Sequence, residues 1–249
     1  LDTDTAFLGL GFSQDPTGLR GNHITLGCSH LYNFEGLGLR YKLSAIENPT
    51  WRQGNPFMSL EDARRVGDSA RQLFYETMMR LPRRVVIHKR TPFLEDERKG
   101  LIEGLAGIDS VDMIEISVDP ALRYVASWIS RDGRFQGDMF PVQRSTTVVL
   151  DSKHALMWVH GTTQAITAKR RYYLGKSRIP APLVLTRHYG ASSLGVLARE
   201  ILGLSKMNWN TFDMYTKLPS TIQSSNEIAR IGSLLERFGP TSYDYRLFI

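Results

Sequence analysis

The chain has 249 residues, 42% of them hydrophobic, with 31 Lys plus Arg against 25 Asp plus Glu, a net charge of +6 and a pI near 9.5. That is enough to bury a full core as one large domain or two small ones. A single cysteine, Cys28, excludes a disulfide framework and fits a reducing, cytoplasmic setting. No charged leader followed by an apolar run is visible, and no apolar stretch reaches the roughly 18 residues of a membrane span, so no membrane partner is expected. A first strand that begins almost at once after Leu1 suggests the ordered part of something longer.

In chain order, residues 5–12 (TAFLGLGF), 22–29 (NHITLGCS) and 38–45 (GLRYKLSA) are short apolar or alternating runs bounded by Gly, Asp, Pro and Asn. They predict three successive strands. Residues 59–80 switch to helical spacing, with Ser59 as N-cap, Asp62 at the capping-box position and an apolar stripe from Leu60 to Phe74. Residues 84–88 predict a buried parallel strand. A second helix is expected over 92–106, opened by Pro92, then a strand at 111–118. Strands follow at 123–130, 146–150, 154–160, 163–173 and 181–188, then helices at 192–203 and 220–238. Strands first, then helix–strand alternation, predict a mixed α/β sheet flanked by helices.

Several motifs fail on inspection. Gly9-x-Gly11 meets Gln14 where a dinucleotide fingerprint needs its third glycine. Gly190 to Gly195 has P-loop glycine spacing, but Val196 and Leu197 replace the Lys and Ser/Thr, so a helix N-terminus capped by Ser192 or Ser193 reads better. The six histidines form no HxxxH or HExxH pair, and no G-x-S-x-G elbow is present. Basic residues bunch at Arg80, Arg83, Arg84, Lys89 and Arg90, and again at Lys169, Arg170, Arg171, Lys176 and Arg178. Such clusters suit phosphate contacts or, equally, two solvated basic faces.

Residues 74–90, FYETMMRLPRRVVIHKR, resemble the helix–loop–strand that leads into a catalytic aspartate in the PIWI domain of Argonaute proteins. Residues 175–239 are similar to the end of a prokaryotic PIWI domain, with the block Leu204-Ser205-Lys206-Met207-Asn208-Trp209-Asn210 and the turn Leu218-Pro219-Ser220-Thr221-Ile222. The resemblance covers essentially the whole chain. It implies an α/β fold, an RNase H-like mixed β-sheet flanked by helices, over residues 1–249, with a MID domain upstream and absent from this chain.

Active members of the family cut with an Asp-Glu-Asp plus Asp/His tetrad. Carried over by position, the four ligands fall on Gly11, near Met58, on Arg90 and on Asn226, none of them a carboxylate. Glu47 and Glu61 are the nearest substitutes for the second. The resemblance therefore implies a degenerate nuclease site, with Arg90 supplying positive charge that attracts a target phosphate. Taken alone, Gly11 also fits a strand glycine where another backbone passes close, and Arg90 a solvated strand-end base.

What remains is binding. The resemblance places Lys206, Asn208 and Asn210 against the guide's seed segment and makes Arg178, Arg187 and His188 candidates for the guide–target backbone. The carboxylate of a terminal Ile249 would help hold Mg²⁺ at the guide 5′ phosphate; an ordinary apolar tail is the alternative. The class most similar is the short, catalytically inactive one, with MID and PIWI but no N or PAZ domain. Its implied partners are guide RNA, target DNA and an APAZ-containing effector, sirtuin-like or TIR, carrying any NADase activity in defence against plasmids and phage. Two other readings stay open: a guide-directed endonuclease using Glu35, Glu47 and Asp151, and an RNase H-like interaction protein that binds no nucleic acid.

Overall fold

A computed structural model describes residues 4–14, 24–31, 40–138, 140–164, 171–172, 179–207, 216–234 and 242–244. In chain order the elements are β1 (Thr5–Gln14), β2 (Ile24–Leu31), β3 (Arg40–Ile46), β4 (Thr50–Arg52), β5 (Asn55–Phe57), α1 (Leu60–Met78), β6 (Arg84–Lys89), α2 (Glu95–Gly104) and β7 (Ser110–Val118). They continue with β8 (Ser127–Ile129), β9 (Phe135–Gly137), β10 (Thr147–Val149), β11 (His154–Met157), β12 (Thr163–Gln164), β13 (Arg171–Tyr172), β14 (Leu183–Tyr189), α3 (Leu194–Leu204), α4 (Ser220–Leu234) and β15 (Tyr243–Asp244).

Nine strands form one sheet in the order β10-β11-β14-β7-β6-β1-β2-β3-β15. The central strands β1, β6 and β7 are parallel, and the outer ones pair antiparallel. Residues 5–11 of β1 are buried without alternation because helices cover both faces of the sheet. On one face Ala6, Leu8 and Leu10 join Ala63, Val66, Ala70 and Phe74 of α1 and Leu101 of α2. On the other, Phe7, Val86, Ile114 and Ile116 pack with Leu197, Ala198 and Ile201 of α3 and Ile222 of α4.

The predicted mixed sheet and its flanking helices are thus present, with local differences. The Ser59 cap holds: its hydroxyl accepts from the Asp62 N–H at 3.1 Å. Pro92 does not open α2. That helix starts at Glu95, and the Lys89 ammonium bonds the Pro92 carbonyl at 3.2 Å. The strands expected over 123–130 and 154–160 shrink to Ser127–Ile129 and His154–Met157, and 163–173 becomes the separate pair β12–β13. The hairpin β4–β5 was not expected. Its two-residue turn, Gln53-Gly54, has φ of 49° and 75°, the primed geometry that glycine favours and that matches strand twist.

Helix α4 lies directly on β1 and β2 because three glycines leave room for its backbone. A Cβ on Gly11 would stand 2.5 Å from both the Asn226 nitrogen and the Ser225 carbonyl carbon, and Gly9 and Gly27 face Thr221 and Ser225 in the same way. The close-approach reading of Gly11 is the one the packing bears out. The Ser29 hydroxyl donates to the Thr221 carbonyl at 2.6 Å, and His88 Nδ1 lies 2.9 Å from Thr221 Oγ1.

Burial, and then the nearby charge of Arg84, push the His88 imidazole down to about 3 from an ordinary 6.5. The folded state therefore keeps His88 neutral where the unfolded chain takes up a proton. This contribution is intact above pH 6.5 and is lost as the pH falls toward 3, by about 5 kcal/mol in all. Urea midpoints measured from pH 7 to 4 should fall more steeply for the parent protein than for His88→Gln; parallel curves would remove His88 from the acid response.

Candidate nucleic-acid interface

Ligands of open α/β sheets gather in the crevice outside the carboxyl ends of the parallel strands, where neighbouring connections diverge. Here the ends of β1 and β6 open into a cleft of about 530 Å³. Phe12, Ser13 and Gln14 come from β1; Lys89, Arg90 and Thr91 follow β6; Asn226 comes from α4. Trp51, Gly54, Asn55 and Pro56 of the β4–β5 hairpin form the opposite wall. No carboxylate stands among the described lining residues.

Three of the four positions singled out by resemblance meet here. Leu10 pairs with Lys89 in the parallel register, which sets Gly11 beside Arg90, and a Cβ on Gly11 would touch Asn226. Arg90 and Asn226 line the cleft. Met58 does not: its side chain is 1% exposed in the core between β5 and α1, so the position expected near the second ligand is buried away from the cleft. A filled site at Gly11, a cation at Arg90, an amide at Asn226 and a thioether at Met58 do not fit a divalent cation as a ligand set. Among the described residues no group of three His, Cys, Asp or Glu is placed to hold a metal ion.

One buried ion pair anchors both walls of the cleft. The Lys89 ammonium reaches both Glu97 carboxylate oxygens at 2.6 Å and sits 4.6 Å from the Phe57 ring centroid and 5.3 Å from those of Phe12 and Phe93. Glu97 also accepts from the Met58 N–H at the end of the hairpin and from the Leu94 N–H at the start of α2, both at 3.0 Å. Burial holds the Lys89 ammonium below its ordinary range, against the opposing pull of Glu97.

The first basic cluster is mostly committed to internal partners. Arg80 pairs with Asp4, Arg83 with Asp109, Arg84 with Asp112 and Glu200, and Lys89 with Glu97. Arg90 is exposed and forms no hydrogen bond or ion pair with any described residue. Burial, and then the positive charges of Arg123 and Arg90, lower the Lys217 ammonium below its usual range, so these three cations share one neighbourhood. Lys206 is exposed nearby: the Thr216 N–H bonds the Ser205 carbonyl at 2.8 Å, which brings the residues before Lys206 and Lys217 together.

Arg187 and His188 are partly buried and engaged by partners within the chain. Arg187 donates to the Ser192 and Ser152 carbonyls at 2.6 and 2.8 Å, and His188 Nε2 lies 2.8 Å from Glu115 Oε2. Asn208, Asn210, Arg178 and Ile249 lie outside the described residues, as do Glu35 and the side chains of the second basic cluster. Glu47 and Asp151 do not converge. Glu47 follows β3 and pairs with Arg65, Asp151 precedes β11 and pairs with His154, and five strands separate β3 from β11. Trp51, Arg123 and Lys217 were missed in the sequence. The available signals were Gln53-Gly54 as a hairpin turn and a lysine one residue before the Leu218-Pro219 turn.

A mixed sheet with three central parallel strands and helices on both faces is an RNase H-like architecture. Within that class the fold is that of the PIWI domain of prokaryotic Argonautes. The chain is similar to Clostridium butyricum Argonaute bound to a guide DNA and a 19-mer target DNA, with 16% identity over 92% of this chain and 26% of that one and a TM-score of 0.63. It is also similar to Marinitoga piezophila Argonaute in complex with 5′ OH guide RNA and target DNA, with 14% identity, 99% and 31% coverage and a TM-score of 0.61. A. aeolicus Argonaute follows at 16% identity, 97% and 30% coverage and a TM-score of 0.58. The chain spans about a quarter to a third of the length of these Argonautes. No protein-family model and no curated protein matches the sequence. No described helix is long and apolar enough to cross a membrane.

Proposed function

We propose that this chain is the nucleic-acid-holding part of an Argonaute whose own nuclease site is degenerate. It binds a guide RNA paired to a target DNA and passes that binding to a separate effector. The observation that carries this reading is the cleft at the ends of β1 and β6, where Arg90, without a partner among the described residues, and the amide of Asn226 stand in place of a carboxylate cluster. A cation there repels a metal ion and attracts a phosphodiester. The neighbouring charges of Arg123, Lys217 and Lys206 extend the same surface along a backbone. Base pairing supplies sequence recognition, and the protein supplies backbone contacts.

The effector half of the proposal rests on the family resemblance: an APAZ-containing partner, sirtuin-like or TIR, carries the NADase activity that defends a prokaryotic cell against plasmids and phage. Mg²⁺ would neutralise the guide 5′ phosphate, and the protein acts in the cytoplasm.

Guide-loaded protein titrated with labelled target DNA across a salt series tests the binding. Affinity should fall linearly with the logarithm of salt, and Arg90→Ala should lower that slope by about 1. Arg90→Asp should weaken target binding further; unchanged affinity in both variants would make Arg90 a bystander. Incubation with Mg²⁺ or Mn²⁺ tests the endonuclease alternative, since specific cleavage lost in Glu47→Ala would overturn the degenerate-site reading.

A further inference from the structure

We propose that the cleft between the β4–β5 hairpin and Arg90 takes one unpaired nucleotide, its phosphate on Arg90 and its base stacked on Trp51. The proposal rests on the nucleic-acid reading above and adds a defined ligand unit to it.

The described walls offer three kinds of surface, each suited to one part of a nucleotide. Arg90 is a cation without a partner among the described residues, placed for a phosphate. Trp51 lines the same cleft and is 39% exposed, an indole face on a hairpin rather than in the core. Base–indole stacking tolerates any sequence because every base has a π-face. The amides of Gln14, Asn55 and Asn226 can serve as donors or acceptors to base edges and sugar hydroxyls. The volume of about 530 Å³ suits a small enclosed ligand rather than the outside of a duplex.

The two binding groups are held in register. Arg90 follows Lys89 directly, and Trp51 belongs to the hairpin whose far end places Phe57 over Lys89 Nζ and donates the Met58 N–H to Glu97. Both walls therefore hang on the same Lys89–Glu97 pair, and little ordering is left to occur on binding. A base inside a duplex is already stacked on both faces and does not enter a concave cleft, so the unit that fits is unpaired. Phosphates of the adjoining paired strand fall to the exposed cations outside.

The test uses the whole chain and two fluorescently labelled RNA–DNA duplexes of one sequence, one fully paired and one carrying a single unpaired nucleotide in the DNA strand. In the parent protein the unpaired nucleotide should tighten binding about tenfold. Trp51→Ala should abolish the difference between the duplexes, Trp51→Phe should retain part of it, and an abasic unit in place of the unpaired nucleotide should mimic the fully paired duplex. Equal affinity of the parent protein for both duplexes, or a preference that survives in Trp51→Ala, overturns the proposal while leaving nucleic-acid binding in place. If Trp51→Ala does not fold, the Trp51→Phe and abasic comparisons decide. Failure of the parent protein to bind either duplex would instead remove the nucleic-acid reading on which the proposal rests.

Discussion

Gly11→Asp is expected to unfold the domain or cost it about 4 kcal/mol or more, rather than to rebuild a metal site. A Cβ at this position would overlap the backbone of α4 at Ser225 and Asn226, and peptide atoms cannot swing aside as a flexible side chain can. The helix cannot lift locally, because Gly9 and Gly27 seat it against the same two strands and the Thr221 carbonyl is tied to Ser29. A carboxylate forced into this contact would also lose its hydration, with only the neighbouring Arg90 cation to offset the cost. Denaturant midpoints of Gly11→Ala and Gly11→Asp measure the two parts, since alanine meets the overlap alone. A Gly11→Asp protein as stable as its parent would show that α4 can move away from β1. The glycine at position 11 is thus coupled to the packing of α4, and a side chain cannot be added there alone.

Glu97→Ala should cost about 3–5 kcal/mol, the penalty for leaving a buried charge unpaired. Lys89 is 1% exposed, and Glu97 is its one carboxylate partner among the described ion pairs. The loss would also strip acceptors from the Met58 and Leu94 N–H groups, which a double change to apolar residues does not replace. The combined variant Lys89→Met/Glu97→Leu should therefore recover only part of the lost stability. Thermal melting of the single and double variants measures this. A Glu97→Ala protein that melts with its parent would show that Lys89 finds water or sheds its proton at little cost.

Much of the architecture was legible locally. The β-branched run Val85-Val86-Ile87 announced a buried strand, and the spacing of Ala63, Val66, Ala70 and Phe74 after the Ser59 cap announced α1. Pro92 misled because its fixed φ suits a first helical turn, whereas here its carbonyl serves the Lys89 ammonium and α2 begins three residues later. The middle segment was hardest. The strand pairs β4–β5, β8–β9 and β12–β13 stand outside the main sheet, so no single core face imposes the alternation that a sequence pattern detects.

Residue identity alone sets the chemistry available at each position: no carboxylate at residues 11, 58, 90 or 226, and an excess of cations near β6. It could not say which of those cations were free. Arg84 is consumed by Glu200, which lies 116 residues away, while Arg90, six residues on from Arg84, has no described partner. Nor could it say that Trp51 and Arg90 face one cleft, or that the glycine at 11 is held by a helix more than two hundred residues later. The physical reason is one of range. Periodicity, caps and turns act within a few residues and leave a local imprint, whereas ion pairs and backbone contacts between distant segments exist only after the chain has closed on itself.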